Sequence, residues 1–382
     1  MITDRLRSPR AAFSPVRTIA GLALLFSTIA QGQQVTLEPL PPPSLRRLPN
    51  VVTGRVERGP DGSLLRQWPG TYFETAFTGR SAYFRVGLGE VSLRVTVDDG
   101  APLALVKPAP ETYRVSGLAP GRHHLRIDIA SESQAGPTRF DGFFAPASAR
   151  SAALSHRSRS IEFIGDSHTV GYGNTSPTRQ CSEAEVWATT DTSRGLASLV
   201  ARHYGADYQV NAISGRGIVR NYNGFAARTL PQAYRYATLD GKALANPRGW
   251  VPQIIVISLG TNDFSTPLTG REKWTSREGL RADFEAAYVG FVEHLRTRYP
   301  QAQILLWATD LANGEIRQEV ARVVGQLRRL RVERVKFVPV ENLSFSACNW
   351  HPSLTDDATI ASRLIEAIDT DPGAWTQRRR GH

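Results

Sequence analysis

Four short blocks carry the residue types from which an acyl-transfer site is assembled. "IEFIGDSHTVGYGN" (161–174) runs an apolar strand into Asp166, Ser167 and His168. "NAISGRG" (211–217) offers Gly215, "SLGTNDF" (258–264) offers Asn262, and "ACNWHPS" (347–353) offers His351. Acyl transfer needs a nucleophile, a base to take its proton and donors for the oxyanion that develops. Ser167 is the candidate nucleophile and His351 the candidate general base, later the general acid. The backbone N–H groups of Ser167 and Gly215, with the Asn262 side-chain amide, are candidate oxyanion donors, each worth roughly 3–4 kcal/mol. Glycine suits the second donor because no Cβ then obstructs the acyl group.

Each block alone has a plainer explanation. Asp166 or Ser167 would cap a helix, Gly215 and Asn262 would serve turns, and His351 would be a surface imidazole before a proline. His168, next to the nucleophile, is a weaker candidate for a second base. Asp166 and Asp263 read as turn and backbone acceptors. What argues for function is the order of the blocks, each just beyond a predicted strand. Strands are expected at 161–165, 208–213, 253–259, 303–308 and 335–340. Amphipathic stretches at 280–299 and 315–330 lie between the later ones, and Pro300 stops the first. Alternation of strand and helix implies a parallel sheet covered on both faces, whose functional residues gather beyond the carboxyl ends of the strands.

The N-terminal half has a different rhythm. From about 51 to 150, "TYFETAFTG", "SAYFRVGLG", "VSLRVTVDDG" and "HHLRIDIAS" alternate apolar and polar residues and end on turns. Short strands without intervening helices indicate an antiparallel β-sandwich or jelly roll. "LEPLPPPSLRRLP" (37–49) reads as part of a proline-rich linker over 33–50. Residues 147–160, small and polar, read as the interdomain connection. Arg5, Arg7, Arg10 and Arg17 precede "IAGLALLFSTIA", so residues 1–32 read as a signal peptide. The mature protein is expected to be secreted or periplasmic, without a membrane span.

The 382 residues suffice for two domains. The net charge of +11 rests on 46 basic residues, 42 of them arginine and spread along the chain, so a nucleic-acid partner is not expected. His and Cys lack ligand spacing, so no metal or other cofactor is expected. Nothing fixes the oligomeric state.

Together the four blocks resemble those of the SGNH (GDSL-type) hydrolases over about 160–370. "IEFIGDSHTVGYGN", "ISGRGIVRNYNG", "GTNDFS" and "CNWHPS" look more particularly like carbohydrate esterase family 2, which joins an N-terminal jelly roll to an SGNH domain. That resemblance implies metal-free removal of O-acetyl groups from acetylated poly- or oligosaccharides such as xylan or glucomannan. Other readings stay open: a lipid or thioester hydrolase, a non-catalytic carbohydrate-binding protein, or an acetyl transferase.

Asn349 departs from the SGNH pattern, in which an aspartate commonly stands two residues before the histidine. The family includes Ser–His dyads whose imidazole is held by a backbone carbonyl, so Asn349 or a nearby carbonyl is the candidate acceptor for His351. Asp356 and Asp357 read as charges at the start of a C-terminal helix. Trp350 and Trp274 are candidate sugar-stacking residues, whereas Trp187, Trp250 and Trp307 read as core. Cys181 and Cys348 are expected at the rim of the site, where an exported chain would bridge them.

Overall fold

The computed structural model describes residues 34–38, 41, 44–245 and 249–375. The leader read at 1–32 lies outside them. Residues 34–151 build two antiparallel sheets, of seven and six strands, that form the sandwich. The alternation in the sequence becomes its core. Leu93, Val95 and Val97 on one strand and Leu125, Ile127 and Ile129 on its neighbour pack against Phe73, Phe77, Phe84 and Phe143, all buried. Two short strands fall inside the stretch read as linker. Gln34–Leu37 pairs with Thr112–Ser116, and Arg46–Arg47 with Thr138–Ala145. The proline run hides them, because two to four residues are too few to establish a period.

The second half holds a parallel five-stranded sheet of Ser160–Gly165, Asp207–Ala212, Ile254–Ser258, Gln303–Thr309 and Val335–Val340. Its strands lie in the spatial order second, first, third, fourth, fifth. The third and fourth strands are nearly continuous apolar runs because both of their faces are covered. Ile255 and Ile257 face helices Arg277–Arg298 and Glu315–Arg329, while Ile254 and Val256 face Leu196–His203 and Leu354–Asp369. The chain order reverses between the first and third strands. That switch point opens a crevice at their carboxyl ends.

Alternation predicts polar residues on the outer face of each sandwich sheet, and on the second sheet they are present but buried. The parallel domain covers them. Arg94 Nε donates to Asp191 Oδ2 at 2.7 Å, and Tyr72 Oη to Asp207 Oδ1 at 2.6 Å. Arg55 pairs with Glu162 at 3.3 Å, and Arg157 bridges Glu74 and Asp207. Trp68 and Tyr72 of the sandwich each join a core cluster of the parallel domain.

Candidate active site

The first strand ends at Gly165, where a Cβ would meet Thr169 Oγ1 at 2.1 Å and the Ser258 carbonyl at 3.1 Å. Only glycine permits this sharp turn into the one-turn helix Ser167–Val170. Asp166 caps the helix, its Oδ1 accepting the His168 N–H at 3.1 Å. Burial pushes the Asp166 carboxyl up to about 7. Ser167, buried, directly follows the first strand at the switch point between the first and third strands.

Gly215 follows the second strand with φ +80°, and a Cβ there would lie 3.1 Å from the Phe225 ring. Among the described residues, the N–H groups of Ser167 and Gly215 have no hydrogen-bond acceptor. Both are therefore available to a ligand oxygen. Asp263 fixes the loop beyond Gly215, its carboxylate accepting the N–H groups of Ile218, Val219 and Arg220 at 2.9–3.0 Å. Burial raises Asp263 to about 6 despite these three bonds.

Asn262 is buried on the short helix Thr261–Phe264. Its Nδ2 donates to the Arg216 carbonyl at 2.9 Å and to Asp166 Oδ2 at 3.2 Å. The amide thus lies between the first and second blocks. Both of its protons are engaged in this structure, the contact to Asp166 being the longer.

His351 follows the turn Cys348–Trp350, in which Asn349 and Trp350 adopt left-handed φ of 52° and 61°. Its Nδ1 lies 2.9 Å from the Cys348 carbonyl and 3.1 Å from the Asn349 carbonyl. Two acceptors at Nδ1 require the proton there, which leaves Nε2 as the basic nitrogen. The Asn349 side chain takes no part, because its amide donates to Tyr172 Oη at 3.2 Å. Asp356 and Asp357 are occupied elsewhere. Asp356 accepts the N–H groups of Ser344, Phe345 and Ser353, and Asp357 accepts from Asn174. The His351 ring packs 4.4 Å from that of Tyr172, whose N–H bonds to the Ser167 carbonyl at 3.2 Å. His351 is thereby brought to the helix that carries Ser167. His168 is buried between Phe345 and His351, and burial lowers it to about 3, so it stays neutral and enclosed.

Cys181 and Cys348 are joined in a disulfide, with Cα atoms 5.4 Å apart. The bridge fastens the loop after the first block to the segment bearing His351. Unreduced, denatured protein should therefore contain no free thiol, and two would contradict the pairing. Closing a 167-residue separation should stabilise the fold by up to about 5 kcal/mol through loop-closure entropy.

Trp350 is 65% exposed beside His351, with the Arg179 guanidinium 3.8 Å from its ring centre. Trp274 is held by helix Arg277–Arg298, its Nε1 donating to Asp283 at 2.9 Å. Trp307 is core, but Trp187 and Trp250 are only half buried. Trp187 lies under Lys107 on a helix without a buried residue, so hydrophobicity alone misplaces it. The sequence reading also passed over Tyr222 and Phe225, both exposed beside Gly215. Aromatics in the glycine- and asparagine-rich "RNYNGF" were the available signal.

Comparison with known proteins agrees with this architecture. Residues 52–154 match the Carbohydrate esterase 2 N-terminal family, and residues 163–362 the GDSL-like Lipase/Acylhydrolase family. A Cellvibrio japonicus protein named acetylxylan esterase / glucomannan deacetylase is 43% identical over 87% of this chain and 94% of its own. A solved carbohydrate esterase, whose active site is described as having divergent catalytic and non-catalytic binding functions, is 41% identical. It superposes with a TM-score of 0.81 over 87% of this chain and 100% of that one. A family two carbohydrate esterase from Clostridium thermocellum, solved with cellohexaose, is 28% identical with a TM-score of 0.74, over 86% and 100% of the two chains. A β-sandwich joined to a GDSL-type domain, matched across nearly the whole length of such relatives, places the chain in carbohydrate esterase family 2, as a serine-dependent carboxylic ester hydrolase.

Proposed function

We propose that the protein is an exported carbohydrate O-acetyl esterase that deacetylates xylan- or glucomannan-type poly- or oligosaccharides through a Ser167–His351 dyad. The observation that carries the mechanism is His351 Nδ1 held by two backbone carbonyls, which directs the basic Nε2 away from them. In the first half-reaction His351 takes the Ser167 proton as Oγ attacks the acetyl carbonyl. The oxyanion is held by the N–H groups of Ser167 and Gly215 and by the Asn262 amide. Collapse breaks the ester bond, and His351 returns the proton to the departing sugar oxygen. Water, deprotonated by His351, then attacks the acetyl-enzyme, and acetate leaves with Ser167 restored.

The substrate class is supported by the relative named for xylan and glucomannan deacetylation, and by the exposed aromatics Trp350, Tyr222 and Phe225 around the site. Export is supported by the leader-like residues 1–32 and by the disulfide, which persists in oxidising compartments. Among the described residues no helix is long and apolar enough to cross a membrane. The test is acetate release from acetylated xylan and glucomannan, beside a series of 4-nitrophenyl esters of growing acyl length. Acetyl preference with release from either polysaccharide is expected. Preference for long acyl chains would overturn the reading.

The same geometry sets the pH dependence. Burial lowers His351 below the ordinary histidine value, although its two carbonyl partners pull the other way. Only neutral imidazole accepts the Ser167 proton, so protonation silences the site. The acid limb of kcat/KM should therefore fall below about pH 6.5. A limb centred clearly above that value would contradict it.

A further inference from the structure

The loop bearing Gly215 is held from the other domain. The connection between sandwich strands Gly121–Ile129 and Thr138–Ala145 brings Glu132 and Gln134 to Ser214. Glu132 Oε2 accepts the Ser214 N–H at 2.9 Å, and Gln134 Nε2 donates to the Ser214 carbonyl at 3.1 Å. Arg216 steadies Gln134 in turn, donating to its Oε1 at 3.4 Å. The Ser214 carbonyl and the Gly215 N–H are opposite ends of one planar trans peptide, so whatever fixes the oxygen aims the hydrogen. Glu132 holds the preceding peptide, so both units leading into Gly215 are pinned. A hydrogen bond to the carbonyl also polarises the unit and strengthens its N–H as a donor. Burial raises the Glu132 pKa, so holding an acceptor here costs desolvation.

We propose that Glu132 and Gln134 of the sandwich are positioning residues that aim the Gly215 N–H at the reacting acyl oxygen, so that the N-terminal domain completes the oxyanion hole. This rests on the Ser167–Gly215 reading of the site above.

The test compares full-length Glu132→Ala, Glu132→Gln and Gln134→Ala with wild type. It measures kcat and KM on 4-nitrophenyl acetate, inhibition by phenylboronic acid, whose tetrahedral serine adduct occupies the oxyanion hole, and Tm. Loss of one oxyanion donor costs about 10²–10³ in kcat, so its misdirection in Glu132→Ala should cost roughly 10- to 100-fold, with KM within about threefold. Boronate affinity should fall in parallel. Glu132→Gln keeps an acceptor oxygen and should recover kcat to within about threefold of wild type. Gln134 is exposed, so its alanine variant should fold and still lose about three- to tenfold in kcat. Wild-type kcat in both alanine variants would overturn the proposal, as would a loss of kcat with boronate affinity unchanged. If Glu132→Ala does not fold, Glu132→Gln and Gln134→Ala decide it by the same two readouts. Retained turnover in Ser167→Ala would instead overturn the underlying site reading, a separable failure.

Discussion

Ser167→Ala should fold like wild type and lose about 10⁵–10⁶ of its kcat toward acetyl esters, leaving acetate release near the background rate. The expectation follows from the crevice. Ser167 is the hydroxyl beside two unengaged backbone N–H groups, and His168 next to it is too enclosed to act in its place. Removing one oxygen from a helix that Asp166 and Gly171 already cap should hardly change Tm. Acetate release and thermal unfolding, measured on one preparation, check both halves. A folded variant retaining more than about 1% of wild-type turnover would show that another group forms the acyl-enzyme.

The second large effect separates His351 from Asn349. His351→Ala should lose kcat about as completely as Ser167→Ala, since in the proposed mechanism one imidazole serves as both acid and base. Asn349→Ala should lose no more than about tenfold, because the carbonyl of residue 349 remains. Its cost should fall mainly on stability, roughly 1 kcal/mol, as alanine tolerates φ 52° less well than asparagine. Asn349→Asp should not raise kcat appreciably, because the side chain points at Tyr172 Oη rather than at Nδ1. In one well-studied triad, changing the aspartate to asparagine costs about 10⁴ because the histidine adopts the wrong tautomer. Here the carbonyls of Cys348 and Asn349 already fix it. If Asn349→Ala proves as inactive as His351→Ala, two backbone carbonyls are insufficient and the dyad is wrong.

These residues show what a sequence exposes and what it conceals. The parallel sheet was legible because strands buried on both faces leave unbroken apolar runs such as "IIVIS", and chemistry-bearing residues follow them directly. Ser167, Gly215, Asn262 and His351 are each local to a strand end or a turn. The acceptor for His351 was legible only as a pair of alternatives. Choosing the carbonyl over the amide depends on two consecutive left-handed residues that no periodicity announces. Alternation revealed which face of a sandwich strand is apolar but not what lies against the other face, so it gave no sign that Arg94 and Glu74 are buried. Glu132 and Gln134 were invisible for the same reason. They meet Ser214 across about 80 intervening residues, and nothing in "SESQAG" signals the encounter.

The ion pairs beneath the second sandwich sheet bear on any attempt to dissect the enzyme. Cutting the chain between the halves would strand Asp191 and Glu162 without their guanidinium partners, on a surface made to be covered. The cut also uncovers the apolar clusters that Trp68 and Tyr72 complete, at about 25 cal/mol per Å² of apolar surface exposed, against a total stability of about 5–15 kcal/mol for a typical domain. The sandwich is therefore no transplantable module in the sense that linker-joined binding domains are. A catalytic fragment expressed alone should be insoluble or molten, and chimeras should exchange both halves together. Heating the intact protein should give one calorimetric peak rather than two, because neither half retains a stable surface once the other has opened.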